Sequence, residues 1–264
     1  MDLQLKDKVA VVTGGGRGIG GAIARRLAGE GVRVAVVDLD AGRARDVADS
    51  FGGLALGVDV ADKHQVESAK RRVVDELGGL HIVVSNVGLT KAAYLAAISE
   101  EDIEQTLAVN IRGALNVTRA AVPHLKGAGW GRLIYIGSSS GLKASAGLAL
   151  YSASKYFLHG LCVAAGLELG KSGITANIIC PSDVYPGEQA TAGSWLDPKL
   201  IQMSIEKEGV ASMEELKAQR IARTPVGRGC AEDDVAALAT FLASPLADFI
   251  NAQAIGVNGG LVPN

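Results

Sequence analysis

A regular alternation of short apolar runs with longer amphipathic segments constrains the fold more than any other feature of the chain. Seven runs rich in valine and isoleucine predict strands that are buried on both faces. Apolar residues recur between them with helical spacing, which is typical of an α/β protein. The predicted strands are Val9–Thr13, Arg33–Val37, Leu54–Val58, His81–Ser85, Arg132–Ser138, Ile174–Cys180 and Ala254–Asn258, and predicted helices include Ile19–Gly29, Lys63–Leu77, Ser99–Leu125 and Tyr151–Lys171.

The order of these segments predicts a doubly wound Rossmann fold with three layers. Right-handed crossovers place helices on both faces of a seven-stranded, mostly parallel sheet. A length of 264 residues suits one domain that covers residues 1–264. Ligands of such folds bind at the carboxyl ends of the strands, so we expect the functional residues there.

One stretch, Asp183–Thr224, breaks the alternation. It contains no clear strand and only weak helical periodicity, near Pro198–Lys207 and Met213–Ile221. A long insertion after a strand end is often a lid over the substrate, and a variable surface segment is the equally weighted alternative. If it is a lid, Tyr185 and Trp195 are candidates for lining an apolar substrate pocket.

The composition argues against several kinds of partner. The net charge is −2 and the two signs are interspersed, so no basic stripe is available to bind a nucleic-acid backbone. No signal-peptide core or membrane-length apolar run occurs, which predicts a cytoplasmic protein without a membrane partner. The three cysteines and four histidines show neither a disulfide framework nor metal-ligand spacing, so we expect no metal.

A glycine-rich segment directly follows the first predicted strand. Its sequence is Thr13-Gly14-Gly15-Gly16-Arg17-Gly18-Ile19-Gly20, and it opens a predicted helix. Glycine permits a tight turn and a close approach of the backbone to a diphosphate, whose charge is favoured at a helix N-terminus. A flexible turn is the alternative, but the strand-turn-helix context favours dinucleotide binding by Gly14, Arg17, Gly18, Ile19 and Gly20.

Asp38 ends the second predicted strand, eighteen residues past Gly20. A carboxylate there accepts hydrogen bonds from the adenosine ribose and repels a 2′-phosphate, which favours NAD over NADP. Arg17 could pair a 2′-phosphate, but it also suits the diphosphate. Asp59 and Val60, after the third strand, are candidates for the adenine edge, although an aspartate there is also a common helix cap.

Tyr151 and Lys155 are four residues apart in a predicted helix, so their side chains lie on one face. A free phenol titrates near pH ~10 and is a poor base at neutral pH. An ammonium ~5 Å away favours the phenolate by ~3 kcal/mol at an effective dielectric constant of ~20, and desolvation opposes part of this. We therefore expect a lowered Tyr151 pKa, which suits acid/base catalysis of alcohol oxidation.

Together with more distant motifs, this pair resembles the short-chain dehydrogenase/reductase family along nearly the whole chain. The glycine segment matches Thr-Gly-x-x-x-Gly-x-Gly, and Gly137-Ser138 stands thirteen residues before Tyr151, the family's usual spacing. Asn110 matches within the long fourth helix. The C-terminal segments Pro225-Val226-Gly227-Arg228, Glu232-Asp233-Asp234-Val235-Ala236, Phe241-Leu242-Ala243-Ser244 and Val257-Asn258-Gly259-Gly260 also read as family sequence.

The resemblance implies a role for each matching position of the catalytic end. Ser138 would hydrogen-bond the substrate oxygen while Tyr151 exchanges its proton. Lys155 would also hold the nicotinamide ribose, and Asn110 would anchor a water that relays protons to solvent. The resemblance thus implies catalytic Asn110, Ser138, Tyr151 and Lys155, with Ser138 and Tyr151 also binding the substrate.

The cofactor contacts implied by the resemblance extend to two further strand ends. Pro181 and Val184 would support the nicotinamide ring. Asn86 and Gly88 match two positions of the family's Asn-Asn-Ala-Gly after the fourth strand and would also contact the cofactor. The family's usual assembly implies a homotetramer or homodimer.

This chain departs from the family pattern at three places. Val87 replaces a smaller alanine beside the cofactor, and Ser182-Asp183 stands where the family often has glycine after Pro181. Asn258 replaces a frequent aspartate. The first two departures put the packing near the cofactor in question.

The sequence thus predicts an NAD-dependent enzyme that interconverts a secondary alcohol and a ketone. Its substrate would be a small polyol, a diol or an aryl-substituted secondary alcohol. A 3-oxoacyl carrier-protein reductase using NADPH is the first alternative, against which Asp38 counts. A non-catalytic NAD-binding regulator is the second alternative, but such proteins tend to lose the tyrosine or the lysine, and this chain keeps both.

Overall fold

The computed structural model describes residues 2–185 and 198–263. Seven parallel strands form one sheet in the order β3-β2-β1-β4-β5-β6-β7. The strand order reverses once, between β3 and β4, so β1 and β4 are neighbours at the switch point where α/β folds bind ligands. The strands are β1 Val9–Thr13, β2 Arg33–Asp38, β3 Leu54–Gly57, β4 Ile82–Ser85, β5 Gly131–Ile136, β6 Ile174–Pro181 and β7 Ala254–Val257.

Nine α-helical segments are found in the described ranges. They are α1 Gly18–Gly29, α2 Ala41–Asp49, α3 Lys63–Leu77, α4 Glu100–Thr106, α5 Ala114–Ala128, α6 Ala149–Leu169, α7 Pro198–Glu208, α8 Met213–Ala222 and α9 Glu232–Ala243. Two of them have an aspartate at the N-cap, Asp40 for α2 and Asp62 for α3. Each carboxylate accepts hydrogen bonds from amides of the first turn. The doubly wound α/β prediction is therefore confirmed, with strand ends within two residues of their predicted positions.

Helices cover both faces of the sheet and bury two apolar clusters. One cluster packs α3, α5 and α6 against the sheet, and the other packs α1, α2 and α9 against the opposite face. Alternate residues of β5 serve the two clusters, with Leu133 and Tyr135 in the first and Ile134 and Ile136 in the second. This alternation follows from the two-residue period of a strand buried on both sides.

The long helix predicted between β4 and β5 is not uniform. It begins at Glu100 and ends at Ala128, but the segment Leu107–Gly113 between α4 and α5 is π-helical. Such π segments occur frequently at functional sites. Asn110 lies in the middle of this one and is buried.

The described part of the predicted insertion contributes α7 and α8, which coincide with its two weak helical patterns to within one residue. At the start of the insertion, Val184 forms an isolated parallel bridge with Cys230, which ties the segment after β6 to the segment before α9. Trp195 and the rest of 186–197 lie outside the described residues. No helix in 2–185 or 198–263 combines the length and apolarity needed to cross a membrane.

The glycine segment turns tightly between β1 and α1. Gly14 and Gly18 have φ angles of 61° and 56°, in the left-handed region that glycine adopts without strain. Gly20 packs directly against Gly14 at the start of the turn. A Cβ on Gly20 would lie 2.6 Å from Asn86 Nδ2 and closer still to the carbonyl oxygen of Gly14. The turn therefore depends on the missing side chain of Gly20.

Gly20→Ala is expected to lower the free energy of unfolding by ~1–3 kcal/mol and to weaken dinucleotide binding, because backbone atoms of Gly14 cannot yield to the added methyl group. Gly29→Ala is the matched control, since it is the same change at the last residue of the same helix with open space around it. Denaturant unfolding and NADH fluorescence titration check both variants. Equal effects of the two substitutions would contradict this account of the turn.

Candidate active site

The predicted functional residues converge on one edge of the sheet. Parallel strands present their carboxyl ends together, and β1, β4, β5 and β6 lie side by side there. The glycine turn follows β1, Asn86 follows β4 and Ser138 follows β5, while β6 ends at Pro181. We call the glycine turn with Asp38 the nucleotide end of this edge. We call the part around Ser138, Tyr151 and Lys155, which the sequence predicts to be catalytic, the catalytic end.

The first turn of α1 forms the nucleotide end. Arg17 occupies the N-cap position, its side chain makes no capping hydrogen bond, and the first turn contains no acidic residue. The amide groups of Gly18, Ile19 and Gly20 are thus left without a side-chain acceptor at the positive end of the helix. This cradle fits the diphosphate of a dinucleotide.

Asp38 is fixed directly beside the glycine turn. Its Oδ2 accepts from the Gly16 amide at 3.0 Å and its Oδ1 from the Asp40 amide at 3.2 Å. A Cβ on Gly16 would meet Asp38 Oδ2 at 2.9 Å, so the carboxylate needs the small residue opposite. The two backbone bonds hold a negative charge at the end of β2, next to the glycine turn.

Asn86 fastens the glycine turn to the central strands. Its Nδ2 donates to the carbonyl oxygens of Thr13 and Gly14 at 3.1 and 3.0 Å. Its amide donates to Thr13 Oγ1 at 3.1 Å, and that hydroxyl donates to the Val84 carbonyl at 3.2 Å. Asn86 therefore contributes by shaping the turn.

Asp59 and Val60 follow β3 as predicted, and the Asp59 side chain is engaged locally. Its Oδ1 accepts from the Ala61 amide at 2.9 Å, which forms an Asx turn. The helix cap in this loop is Asp62, which accepts from the amides of His64 and Gln65. Val60 is buried, and its Cγ2 would lie 2.7 Å from a Cβ on Gly113.

The catalytic end is built around the hydroxyl of Tyr151. Tyr151 stands in the first turn of α6, and the side chains of Ser138 and Thr90 lie near enough to its hydroxyl to favour the phenolate. Burial raises the pKa of Tyr151, the bonds from Ser138 and Thr90 oppose the rise, and the charge of Asp183 adds to it. The expected lowering of this pKa was therefore wrong, because desolvation of the phenol is the largest effect on it.

Lys155 lies one turn after Tyr151 and is buried at 4% exposure. Its Nζ donates to the Ile136 carbonyl at 2.8 Å and stands 5.5 Å from the centre of the Tyr151 ring. Burial lowers the pKa of Lys155 to about 8. A Cβ on Gly88 would lie 3.2 Å from this Nζ, so Gly88 leaves room for the ammonium.

Asn110 joins three elements through its side chain. Its Oδ1 accepts from the Leu89 amide at 2.7 Å, and its Nδ2 donates to the Leu89 carbonyl and to Ser154 Oγ, both at 2.9 Å. Ser154 Oγ in turn donates to the Tyr151 carbonyl at 2.8 Å. Both amide hydrogens are thus used by protein groups, so a relay water at Asn110 would have to use an oxygen atom of this residue.

The remaining predicted cofactor residues lie at the end of β6. Pro181 pairs with Val257 of β7, and the Ser182 amide donates to the Val257 carbonyl at 3.2 Å. Val184 packs against the apolar cluster that contains α1 and α9. The backbone at Ser182, where this chain departs from the family pattern, is therefore held by the neighbouring strand β7. The Asp183 side chain pairs with Arg220 of α8.

Two residues of the site were not predicted from the sequence. Thr90 was missed because its contact with Tyr151 joins positions sixty-one residues apart. Ser154 precedes Lys155 directly, so its position next to the predicted pair was the available signal. In residues 2–185 and 198–263, no group of histidine, cysteine, aspartate or glutamate side chains is arranged to hold a metal ion.

Known proteins with similar sequences and structures show the family of this chain. A family model described as short chain dehydrogenase matches residues 8–196, which is more than half of the chain. The chain belongs to the short chain dehydrogenase family. Membership makes it an NAD(P)-dependent oxidoreductase.

Curated members of the family align with this dehydrogenase from end to end. A galactitol 2-dehydrogenase of Agrobacterium fabrum is 34% identical, with 98% of each chain covered. A D-beta-hydroxybutyrate dehydrogenase of Cupriavidus necator is 31% identical, covering 98% of this chain and 99% of the relative. The named substrates differ at similar identity, so identity alone does not assign one.

Solved structures of family members superpose closely on this dehydrogenase. A short chain dehydrogenase from Burkholderia cenocepacia in complex with NADP has a TM-score of 0.82 at 33% identity. A 3-ketoacyl-(acyl-carrier-protein) reductase from Brucella melitensis complexed with NADH has a TM-score of 0.83 at 28% identity. Each alignment covers 98% of this chain and 99% of the other.

Lys155→Met is expected to raise the free energy of unfolding relative to wild type at pH 7, and less so at pH 10.5. The folded chain binds the lysine proton less tightly than the unfolded chain, with a pKa of about 8 against an ordinary 10.5. The buried charge therefore destabilises the fold below pH 8, by up to about 3 kcal/mol. That penalty disappears as the pH rises from 8 to 10.5.

Denaturant unfolding of wild type and variant at the two pH values measures this difference. The lost hydrogen bond to Ile136 offsets part of the gain at both pH values, about 1 kcal/mol. Lys126→Met, at an exposed lysine, is the control and should show no such pH dependence. A Lys155→Met variant with the same advantage at both pH values would contradict a depressed lysine pKa.

Proposed function

We propose that this chain oxidises a secondary alcohol to a ketone with NAD, or catalyses the reverse reaction. The observation that carries the proposal is the placement of Tyr151, whose hydroxyl lies near the Ser138 side chain and whose ring centre is 5.5 Å from the buried Lys155 Nζ. Alcohol oxidation needs a base at the hydroxyl and a hydride acceptor at the carbon. A bound nicotinamide supplies the hydride acceptor, and the chain supplies the base.

Each of the assembled residues has a part in the proton transfer. The substrate oxygen takes a place beside the hydroxyls of Ser138 and Tyr151, where Ser138 holds it by a hydrogen bond. Tyr151 accepts the proton of the alcohol, or donates it to the ketone in the reverse direction. A positive charge on Lys155 stabilises the phenolate that forms in the oxidative direction.

Asn110 acts on this chemistry from a distance. Its side chain holds Ser154 and the backbone of Leu89, and Ser154 holds the Tyr151 carbonyl. We therefore assign Asn110 to positioning the start of α6, together with the proton relay that the family resemblance implies. Lys155 would also hold the nicotinamide ribose.

The cofactor would extend from the glycine turn to the end of β6. Gly14, Arg17, Gly18, Ile19 and Gly20 would hold the diphosphate, and Asn86 and Gly88 would shape the path between the two ends. The ring would rest against Pro181 and Val184, and the adenine would lie near Asp59 and Val60. The fixed carboxylate of Asp38 supports NAD, because it accepts from ribose hydroxyls and repels a 2′-phosphate.

The substrate, assembly and location belong to the same proposal. The galactitol relative supports a small polyol or diol. The insertion 183–224 would act as a lid, since a Cβ on Gly147, just before α6, would lie 3.1 Å from Met203 Cε of α7. The exposed apolar side chains of Leu167 and Phe249 support assembly into a homotetramer or homodimer. The three free cysteines support a location in the reducing cytoplasm.

Tyr151→Phe is expected to lower kcat for alcohol oxidation by ~10²–10⁴-fold, because it removes the proton acceptor and leaves the ring in place. Tyr156→Phe is the matched control. It is the same change on the same helix, at a half-exposed tyrosine that donates to the Leu142 carbonyl. The readout is absorbance at 340 nm with NAD over a panel of secondary alcohols.

Unchanged turnover in Tyr151→Phe would overturn the assigned base. Absence of turnover by wild type with either cofactor, over alcohols and ketones, would overturn the proposal of an active enzyme and favour an NAD-binding regulator. An acetoacetyl thioester in the panel tests the alternative reductase activity, which the relative from Brucella melitensis brings into consideration.

Asp38→Ser is expected to shift the cofactor preference toward NADP. The substitution removes a charged acceptor for the ribose hydroxyls, so kcat/KM with NAD should fall about 10- to 100-fold. It also removes the repulsion of the 2′-phosphate of NADP. Arg17→Ala should weaken both cofactors together, because the diphosphate is common to them. A wild-type enzyme that prefers NADP would contradict the role of Asp38.

A further inference from the structure

A carboxylate that the proposed reaction does not use lies at the same edge of the sheet as the residues around Tyr151. Asp183 lies two residues past the last residue of β6, and β6 is the sheet neighbour of β5, which leads into Ser138. The charge of Asp183 also raises the pKa of Tyr151, after the larger effect of burial. Asp183 therefore belongs to the substrate end of the site.

A chain of ion pairs fixes the Asp183 side chain. Its Oδ2 pairs with Arg220 Nη1 at 3.2 Å, and Arg220 Nη2 pairs with Glu208 Oε1 at 2.7 Å. Glu208 also pairs with Arg223 at 2.9 Å. The carboxylate at the end of β6 is thereby tied to the C-terminal end of α7 and to α8, which form the described part of the insertion.

The pairing leaves hydrogen-bonding capacity on Asp183. A carboxylate has about four acceptor positions. In the described part of the chain, Arg220 is the one hydrogen-bond donor to it, through Oδ2. The side chain keeps 39% of its surface accessible, so Oδ1 can accept from a group that enters the site.

The charge balance favours a neutral donor. Arg220 already supplies the opposite charge to Asp183, so a substrate ammonium would have to share the carboxylate with a guanidinium. A substrate carboxylate would approach Asp183 against repulsion, and Arg220 is held between two carboxylates. A hydroxyl group satisfies the free acceptor without either cost.

Resting on the proposed alcohol oxidation, we propose that Asp183 is a specificity-determining residue that binds a second hydroxyl of the substrate. The enzyme thus selects neutral compounds in which a hydroxyl lies near the reacting carbon, as in a polyol or diol. Alcohols with one hydroxyl lose this hydrogen bond, and anionic hydroxy acids are repelled. Arg220 and Glu208 act as positioning residues that hold the carboxylate.

The test is Asp183→Asn, which removes the charge and keeps the shape. Three probes are compared with NAD in wild type and variant: galactitol, 2-butanol and 3-hydroxybutyrate. For galactitol we expect kcat/KM to fall about 10- to 100-fold, the value of a hydrogen bond to a charged group. For 2-butanol we expect less than a threefold change, and for 3-hydroxybutyrate a rise of about tenfold as the repulsion is removed.

Two measurements separate a specificity effect from damage to the fold. NADH fluorescence titration should give the same affinity for Asp183→Asn and wild type, and the variant should still unfold in one cooperative thermal transition although it loses the charge that pairs with Arg220. Asp75→Asn, the same change at an exposed position of α3, should leave all three kcat/KM values unchanged.

The outcomes distinguish the two proposals. If wild type oxidises alcohols but Asp183→Asn lowers kcat/KM equally for galactitol and 2-butanol, or for neither, the role of Asp183 is overturned and the proposed oxidation stands. A wild type that prefers 2-butanol or 3-hydroxybutyrate to galactitol also overturns it. If wild type oxidises none of the three probes and reduces none of the corresponding ketones, the proposed function itself fails.

Discussion

The hydrogen bonds of the buried Asn110 side chain hold the catalytic end of the site together. They join the segment after β4, the π-helical segment and α6, three parts of the chain that are far apart in sequence. A buried amide that lost these partners would remain unsatisfied at a cost of about 1–3 kcal/mol, so the arrangement is strongly preferred over alternatives. The position of the Tyr151 hydroxyl between Thr90 and Ser138 follows from it.

Burial acts on the Tyr151–Lys155 pair in a direction that favours neutral groups. It raises the pKa of Tyr151 and lowers that of Lys155, so the fold resists the charge separation that would make a permanent phenolate. A proton acceptor that becomes charged only as the alcohol loses its proton avoids this cost at rest. The site is therefore better described as a neutral phenol beside a lysine that still carries its proton at pH 7, and the phenol becomes charged only during reaction.

The sequence predicts the sheet and both ends of the site because their signals are local. Buried parallel strands appear as apolar runs, and the glycine turn and the Tyr151–Lys155 spacing are contained within a few residues. The contact of Thr90 with Tyr151 depends on tertiary packing and leaves no local signal. The direction of the Tyr151 pKa was missed for a similar reason, since the extent of burial cannot be judged from spacing.

The π-helical segment Leu107–Gly113 also changes the phase of the helix that contains it. A π turn closes with one more residue than an α turn, so the faces of α4 and α5 are rotated relative to each other about the common axis. Deleting one residue here would restore a continuous α-helix and turn Asn110 away from Ser154. The number of residues between α4 and α5 is therefore constrained together with the identity of Asn110, because a change of length would move this side chain away from its partners.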